Sequence, residues 1–389
     1  MTIGLVKGET VVAIKEEIVE GTAIDPATSD DYLQTLSDGL EISPAKELVE
    51  RTILTSSIGK VSPRASTKSV AGSVPVEMRG AGVEGEAPQY EVLLNSGLGS
   101  KRTLGARIVT DTGHTVSTIE ATGHGLVKGD FIVILEAGAN HSAFVTSATT
   151  DQITFAPAMA VAPSDAVEIA KTVTYYPSNT GQPTFTKSVY WGNEIKEQAI
   201  GCRVASMALE NFTTGQIATL NFGHEGLSFN EADEAAPHTP VFDGGLPPLV
   251  LNAVVYQNGV CVDVNEFAVS VENTIAFLTS VKSADGRIAS RISERSLSGS
   301  FAPYKDDTTT TNFDLFDQNT LFEIIVTAQN PSAVPGEHEL GSCYGIYLPN
   351  CLLTEKVVAD QDGILTESLS FSANRGDEGT EEEIFMGFC

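Results

Sequence analysis

Short runs in which apolar and polar residues alternate make up most of the chain, and turn residues separate them. Alternation with a period of two is typical of strands with one buried face, and an Asx-Gly pair between such runs is typical of a hairpin turn. The pairs are Asp38-Gly39, Asn258-Gly259, Asp285-Gly286 and Asp362-Gly363. After the last pair, Ile364, Leu365, Leu369 and Phe371 stand among Thr, Glu and Ser, which predicts a half-buried strand. The pattern therefore predicts a mainly β protein.

Two short segments favour a helix. The first follows Pro88, and the second stands in the corresponding place of the second half of the chain. Their apolar residues are Tyr90, Val92, Leu93 and Leu94 in the first and Phe313, Leu315 and Phe316 in the second. Each would form one or two turns across the open face of its sheet and cover apolar side chains there.

An internal repeat divides the chain into two similar halves. Residues 49–53 recur as 271–275, residues 69–74 as 296–301, and residues 201–204 as 342–346. If the halves are true copies, Gly72 and Gly299 occupy equivalent strand positions, as do Val49 and Val271. The segments 69–74 and 201–204 are much farther apart than their counterparts 296–301 and 342–346, which implies an insertion between them in the first half.

Residues 105–176 are predicted to be this insertion, a separate small all-β unit. Its candidate strands are residues 115–119, 131–135, 143–146, 152–155 and 167–174. His124 stands between Gly123 and Gly125, and we favour a turn histidine of a small barrel over a ligand-binding residue. The same turn lacks a Gly-Lys-Ser/Thr triplet, so no phosphate-binding loop is predicted.

The charge balance excludes several classes of partner. The 389 residues include 51 Asp and Glu but 23 Lys and Arg, a formal net charge of −28. Attractive binding to nucleic acid or to anionic lipid needs a basic surface. The longest apolar runs, such as residues 131–135, are too short to cross a bilayer, and residues 1–20 lack the apolar core of a secretory signal. No membrane association is predicted.

The cysteines and histidines form no recognisable metal site. They are Cys202, Cys261, Cys343, Cys351 and Cys389, and His114, His124, His141, His224, His238 and His338. An odd number of widely spaced cysteines without a Cys-x-x-Cys pair favours reduced thiols that pack as small apolar residues. Cys343 and Cys351 could lie near each other, but no second ligand pair supports zinc.

The acidic residues give no clear catalytic signal either. Calcium at Asp360 and Asp362 is disfavoured, because the other ligands of an EF-hand loop are out of register. Pairs such as Glu16 and Glu17 are expected to be solvated rather than to act as glycosidase acids. Nucleophile-elbow and dinucleotide motifs are absent from the sequence. The sequence therefore predicts no enzyme, with no catalytic, cofactor-binding or metal-binding residues and no cofactor.

A series of segments, taken in order, resembles the tail tube (major tail) proteins of bacteriophages with long, non-contractile tails. The segments are residues 11–17, Gly21-Thr22-Ala23 and Pro26, residues 41–44, 48–51, 69–77 and 85–94, Gly299-Ser300-Phe301, Leu315-Phe316, Leu348-Pro349-Asn350 and Asp362-Gly363. Together they cover most of the chain outside residues 105–176. The inserted unit is a departure from the family pattern.

The resemblance implies two tandem β-sandwich or barrel tube domains with short flanking helices, plus an inserted small β-barrel-like domain. Three chains would then complete a pseudo-hexameric ring, and stacked rings would form the channel for DNA ejection into the host. The implied partners are further copies of the chain, the tail terminator, tail tip and tape measure proteins, and genomic DNA in transit without specific binding. The implied location is the virion, after assembly in the host cytoplasm.

One alternative function and the role of the net charge stay open beside this interpretation. The chain could be another tube or tail-tip component of a phage tail or of a related contractile or secretion system. The net charge could serve an acidic lumen that repels DNA phosphates within about 10 Å at 0.1 M salt, but plain solubility explains it equally well.

The expected domain limits follow from these segments. They are residues 1–45 for an N-terminal arm, 46–104 with 177–235 for the first tube domain, 105–176 for the insertion, 236–248 for a linker rich in Pro and Gly, and 249–389 for the second tube domain. We expect the arm to reach a neighbouring subunit, because residues 22–31 are polar with little to pack on. A strand within its own domain is the alternative. We expect the insertion on the outer surface, where it blocks neither passage nor stacking.

Overall fold

The computed structural model describes residues 5–54, 56, 58–136, 139–251, 253–306, 310–331, 339–361, 363–376 and 381–389. The protein is mainly β, as the alternating pattern predicts. Eighteen strands of the described chain form one continuous hydrogen-bonded network, and six form a separate sheet. The predicted turn at Asp362 and the residue His338 lie outside the described residues.

The elements follow one another along the chain as short hairpins and two helices. The strands are β1 Val11–Glu16, β2 Tyr32–Leu33, β3 Glu41–Val49, β4 Arg64–Glu77, β5 Gly99–Leu104, β6 Arg107–Val109, β7 Thr118–Glu120, β8 Phe131–Glu136, β9 Ala139–Ala148, β10 Gln152–Ala156, β11 Val167–Ile169, β12 Thr172–Pro177, β13 Phe185–Trp191, β14 Ile195–Glu210, β15 Thr219–Gly226, β16 Ser228–Asp233, β17 Val254–Gln257, β18 Val260–Val262, β19 Val264–Thr279, β20 Arg287–Pro303, β21 Phe322–Ala328, β22 Tyr344–Gln361, β23 Ile364–Ala373 and β24 Phe385–Phe388. The helices are α1 Glu91–Leu98 and α2 Thr310–Asp317, with 3-10 turns at Lys7–Glu9 and Ser29–Asp31.

Both predicted helices form, and α1 shows why. Leu93, Leu94 and Leu98 are fully buried in the main core, so the helix covers one face of the large sheet. The helix ends at Gly99, whose φ of 111° suits a residue without a side chain. The chain then continues directly into β5.

The pairing pattern of β1–β4 and β13–β16 recurs in β17–β24. The hairpin β3–β4 corresponds to β19–β20, and in each case the second strand continues the sheet, β4 with β15 and β20 with β23. The meander β13–β14–β15 corresponds to β21–β22–β23, and the bulges recur at corresponding positions. β1 with β2 corresponds to β17 with β18.

The strand register corrects two of the repeat landmarks. Gly72 pairs with Ile42 and His224, whereas Gly299 pairs with Val269 and Phe371. Gly72 and Gly299 are therefore equivalent, as expected. The counterpart of Val271 is Pro44 rather than Val49, because both stand two residues after these partners. The sequence match of Val49 with Val271 therefore differs by five residues from the alignment that the hydrogen-bonded register gives.

The third landmark is corrected in the same way. Cys202 pairs with Phe185, and Cys351 pairs with Phe322, at the start of matching bulges. The counterpart of Cys202 is therefore Cys351 and not Cys343. The two cysteines occupy the same core position in the two halves.

Residues 11–16 form a core strand rather than an arm. β1 pairs with β13 over six positions and with β2, and Val12, Ala13 and Ile14 are buried. The expectation of an N-terminal arm that reaches a neighbour is wrong for this stretch. The alternating apolar residues find their partner within the same chain, about 180 residues later.

The separate sheet has the strand order β6–β11–β8–β9–β10–β7 and lies within the predicted insertion. Its own core contains Ile119, Ile132, Val145, Ile153 and Val167. The expected limit at residue 176 needs correction, because β12 pairs with β5 and β24 in the large network. The apolar run that suggested one strand at 167–174 divides into β11 and β12.

The Pro- and Gly-rich segment 236–248 contains no helix or strand. Several hydrogen bonds hold it against the first half of the chain, and three of them lie in residues 241–245. Arg79 donates to the Gly245 carbonyl (2.8 Å), and the backbone N–H of Gln89 donates to the Asp243 carboxylate (3.2 Å). The Val241 N–H donates to the Ser29 carbonyl (3.0 Å).

Candidate assembly surface

The two halves of the chain join by direct strand pairing between β14 and β19. Residues 206–209 run antiparallel to residues 269–272. Met207 and Leu209 of β14 and Val269 and Val271 of β19 are each at most 5% exposed. The contact thus combines a continuous ladder with a fully buried apolar strip.

Side chains of the β19–β20 hairpin also bind the carboxyl end of α1. Asn273 donates to the carbonyls of Gly97 and Val204 (3.1 Å each). Arg295, which pairs with Asn273 across the hairpin, donates to the Leu98 carbonyl (3.2 Å). Donors at this place satisfy the carbonyl groups that a helix end leaves free.

The positions that correspond to this join lie on two free edges of the chain. By the matching bulges, residues 206–209 of β14 correspond to residues 355–358 of β22. By the Gly72 and Gly299 pairings, residues 269–272 of β19 correspond to residues 42–45 of β3. In the described chain, residues 355–358 pair with β23 alone, and residues 42–45 pair with β4 alone.

Apolar side chains on these two edges are exposed where their counterparts are buried. Val358 is 50% exposed and Val357 47%, whereas Leu209, the counterpart of Val358, is 3% exposed. Pro44 is exposed and Ile42 partly exposed, whereas their counterparts Val271 and Val269 are buried. The β22 edge therefore resembles β14, and the β3 edge resembles β19, but only β14 and β19 pair with each other within the chain.

The sheet face opposite the main core carries small and acidic side chains. On β20 and β23 it consists of paired serines, because Ser298 faces Ser372 and Ser300 faces Ser370. The corresponding positions in the first half and on the neighbouring strands are Ser43, Ala45, Ala71, Ser73, Ser206, Ala208, Asn221, Gly223, Ala268, Ser270, Glu272 and Glu355. None of these side chains is fully buried. We call this surface the serine face.

The inserted sheet packs against a different layer of the second half. Phe131 and Phe144 of β8 and β9 form an apolar cluster with Ile325, Tyr347 and Phe385. Lys128 makes an ion pair with Glu382 (2.5 Å), and Ser142 donates to Gln329 (2.9 Å). The insertion is therefore fixed to the half of the chain to which it does not belong in sequence.

Two glycines allow this close packing. A Cβ atom at Gly387 would lie 2.2 Å from Phe131, and one at Gly345 would lie 2.7 Å from Phe144. Both distances are far below van der Waals contact. The ring of Phe131 thus lies directly on the backbone of β24.

The tips of the two long hairpins expose apolar side chains. The tip between β3 and β4 exposes Ile53, Leu54 and Ile58, and the tip between β19 and β20 exposes Val281. Leu54, Ile58 and Val281 are fully exposed. Exposed apolar residues on corresponding tips are typical of contact surfaces.

The structure places the described residues that were considered for chemistry. His124 lies in a turn, where its ring bonds the Thr149 carbonyl (2.6 Å) and the Leu126 N–H (2.9 Å), as expected of a turn histidine. In the described part of the chain, no group of three or more His, Cys, Asp or Glu residues could hold a metal ion. Cys343 and Cys351 stand eight positions apart along one extended strand, roughly 26 Å, so the idea that they are neighbours is wrong.

A buried lysine is the main polar feature that the sequence did not predict. Lys187 lies within the first half, where it donates to the carbonyls of Glu41 and Ser73 and to Nε2 of His224 (3.2 Å). Burial lowers the pKa of Lys187 to about 8. Burial and the neighbouring ammonium group lower the pKa of His224 well below its ordinary value. The group ties β13 to the base of the β3–β4 hairpin.

The two unpaired strand edges were also not predicted from the sequence, although a signal existed. Serines at every second position of residues 296–300 and 368–372 mark one face of each strand as small and polar. Exposed apolar residues such as Val358 stand on β22, which pairs with β23 in the same sheet. Such a combination on strands of one sheet is typical of an edge that gains a neighbour.

The fold and these surfaces define a structural protein with strand edges suited to association. The family model described as "Phage tail tube protein" matches residues 8–373. The chain belongs to this family. It is thus a structural tail tube protein and a component of the virion. A comparison with curated proteins found no significant match. Among the described residues, no helix has the length and apolar character to cross a membrane.

Proposed function

We propose that the chain forms closed rings of three copies, that the rings stack into the tail tube, and that the tube is the channel for DNA ejection. In this proposal residues 1–235 without the insertion and residues 249–389 are two tandem tube domains. The recurrence of strand pairing, bulges and helix between the halves supports it. The observation that carries the proposal is the internal β14–β19 join, together with its two unpaired counterparts on β22 and β3.

Pseudo-symmetry gives the register of the contact between chains. If the β22 edge of one chain meets the β3 edge of the next as β14 meets β19, then Val358 pairs with Ile42 and Val357 with Ser43. Lys356 then pairs with Pro44, and Glu355 with Ala45. The buried strip of Leu209 and Val269 is thereby repeated as Val358 and Ile42. Closure into a ring leaves no free strand edge at these positions.

Charge complementarity supports the same contact. Lys46 and Lys68 pair across the β3–β4 hairpin at the place of Asn273 and Arg295, which bind the carboxyl end of α1. In the proposed ring Lys46 approaches the carboxyl end of α2 in the next chain, whereas Lys68 is held by an ion pair with Asp285 (2.7 Å) of its own chain. That end carries Asp314 and Asp317, so both the helix dipole and the carboxylates favour cationic neighbours.

The serine face would line the channel. It lies on the layer formed by the two long hairpins, whereas the insertion covers β21 and the first part of β22. Small hydroxyl and carboxylate groups offer DNA phosphates no cationic partner, so the genome passes without binding. The insertion would then project from the outer surface. The exposed hairpin tips would contact the next ring.

The wider setting of a long, non-contractile tail rests on the sequence resemblance alone. Within it, the ends of the tube would meet the tail terminator and tail tip proteins, and the lumen would hold the tape measure protein before DNA enters. A tube or tail-tip component of a contractile or secretion system is the second candidate. Electron microscopy of purified protein separates a tube subunit, which forms long cylinders of uniform width, from a tail-tip component, which does not.

Disulfide trapping tests the predicted register. In a chain with Cys261→Ser, which removes the exposed thiol, we add Val357→Cys and Ser43→Cys. Oxidation of assembled tubes should then link neighbouring chains and give a closed covalent trimer under denaturing conditions. Native mass measurement of isolated rings should give three chains of 41.1 kDa.

The matched control pairs Val357→Cys with Glu47→Cys, four positions farther along the same strand. It should give little cross-linking at equal oxidant. Equal cross-linking in both variants would contradict the register. A ring mass of six chains would contradict the tandem arrangement and favour one domain in the tube wall with the other outside.

A further inference from the structure

The last strand of the described chain holds the two halves together. β24 pairs on one side with β12, which belongs to the first half, and on the other with the start of β22 in the second half. Its side chains Phe385 and Phe388 are buried in two different clusters. Displacement of this strand would open both the main core and the contact with the insertion.

Two cysteines face each other at the end of this strand pair. Tyr344 pairs with Phe388, so Cys343 and Cys389 occupy the next opposed position, and the Cys389 N–H donates to the Cys343 carbonyl (3.1 Å). Opposed residues of this kind have Cα atoms about 5.5 Å apart, inside the range that a disulfide bridges. Both thiols are buried, at 0% and 1% exposure, and they hydrogen-bond each other.

We propose that Cys343 and Cys389 form a reversible intramolecular disulfide when the protein meets an oxidising, disulfide-containing medium, and that this bond locks β24 to β22. The lock would be open in a reducing cytoplasm and closed in particles exposed to oxidant. The other two buried cysteines, Cys202 and Cys351, stand at equivalent core positions in different halves of the chain.

The chemistry balances with a small disulfide as oxidant. The Cys389 thiolate attacks one sulfur of the small disulfide, forms a mixed disulfide and releases one small thiolate. That thiolate takes the proton of Cys343. The Cys343 thiolate then attacks the Cys389 sulfur, forms the internal disulfide and displaces the second small thiol, which carries away the proton that Cys389 gave up. Two protein thiols are oxidised, and one small disulfide is reduced to two thiols.

The polar surroundings fit Cys389 as the attacking group. The hydrogen bond from Cys343 and that from the Gly341 N–H lower the pKa of Cys389 below its ordinary value, against the effect of burial. The same contact and burial raise the pKa of Cys343. Such asymmetry is found in dithiol pairs that exchange readily.

The test uses the full chain with Cys261→Ser, so that no exposed thiol reacts. The protein is incubated with oxidised 2-mercaptoethanol, unfolded in the presence of an alkylating reagent, digested and examined by mass spectrometry. The expected product is one peptide pair linked through Cys343 and Cys389, lighter by two hydrogen atoms, with Cys202 and Cys351 alkylated. The midpoint of thermal unfolding should rise by about 5 °C and return on reduction.

A variant with Cys343→Ala in the same background is the control. It should show neither the linked peptides nor the thermal shift. Alkylation of both Cys343 and Cys389 after oxidation, or separate small-thiol adducts on each, would overturn the proposal. Since the main readout comes from the chain with both cysteines, it does not depend on how well the variant folds.

Discussion

A buried polar side chain can supply the hydrogen-bond partner of backbone groups that the strand ladders leave unpaired, and Glu17 is an example. Glu17 accepts hydrogen bonds from the backbone N–H groups of Gly21 and Gly201 (2.7 Å each) and from the hydroxyls of Thr184 and Thr186. Without the carboxylate, two backbone donors and two hydroxyls would be left near the core, each costing about 1–3 kcal/mol if unpaired. Glu17 therefore acts as a polar joint between β13, β14 and the chain after β1.

Lys187 makes the stability of the first half depend on pH. Burial lowers its pKa from 10.5 to about 8. Between these values the unfolded chain binds more protons than the folded chain, so stability rises with pH from about 8 and levels off near 10.5. The full effect is about 3 kcal/mol, the free energy that corresponds to the difference between the two pKa values.

Chemical unfolding at several pH values checks this prediction, with Lys187→Met as the comparison. The difference in free energy of unfolding between the natural chain and the variant should shift in favour of the natural chain as pH rises from 8 to 10. Only the pH dependence of this difference is diagnostic. Its absolute size also includes the loss of the hydrogen-bond donor to the carbonyls of Glu41 and Ser73. Parallel pH curves would show that the lysine does not titrate in this range.

At the scale of elements, the local sequence pattern predicted many strands and both helices, but it could not predict which distant strands pair or in which register. The strands around Phe131 and Gln152 and both helices follow from alternation and turn residues. The register of the repeat did not, because Val49 and Val271 resemble each other in sequence while hydrogen bonding aligns Pro44 with Val271. The partner of β1 could not be found either, since β13 is distant in sequence and period-two alternation carries no information about which strand it meets.

The insertion offers a direct test of an element's role. Leu104 and Thr172 are opposed in the β5–β12 pair, so residues 105–171 can be replaced by a short Gly-Ser turn. We expect this deletion to expose Tyr347 and Phe385 and to reduce soluble yield, since each buried aromatic loses about 1.5–3 kcal/mol of favourable burial. An insertion that merely lies on the outer surface, as expected from the sequence, would instead be removable without loss of assembly.

A companion variant separates packing from assembly. With Tyr347→Thr and Phe385→Thr added to the deletion, the uncovered face becomes polar, and soluble protein that forms tubes should return. Soluble yield and negative-stain microscopy measure the two outcomes. Normal tubes from the simple deletion would show that the covered face contributes nothing to folding.

At the scale of the whole molecule, the distribution of charge matters more than its sum. The net charge of −28 is a property of the whole chain, whereas the serine face gathers small neutral and acidic side chains on one side of the sheet. If this face lines the channel, its lack of cations is a condition for DNA transit.

Placing arginine on this face tests that condition. Ser300 and Ser370 are directly opposed and partly exposed, and the change Ser300→Arg with Ser370→Arg adds two cations per chain. Tubes should still form, and they should retain duplex DNA at low salt but release it as salt rises. The matched variant with glutamine at both positions should form tubes without retention. If tubes of the double arginine variant retain no duplex DNA at any salt concentration, this face does not line the channel.

The long-range pairing of β1 also affects how the chain folds during synthesis. Val11 pairs with Tyr190, about 180 residues later. At a translation rate of about 5–20 residues per second, β1 waits roughly 10–40 seconds for its partner strand to leave the ribosome. During that interval Val12 and Ile14 are exposed on nascent chains, many of which are held close together on one messenger RNA. The same strand that completes the finished domain is therefore, for its first half minute, a segment that holding chaperones can bind and that neighbouring nascent chains can capture.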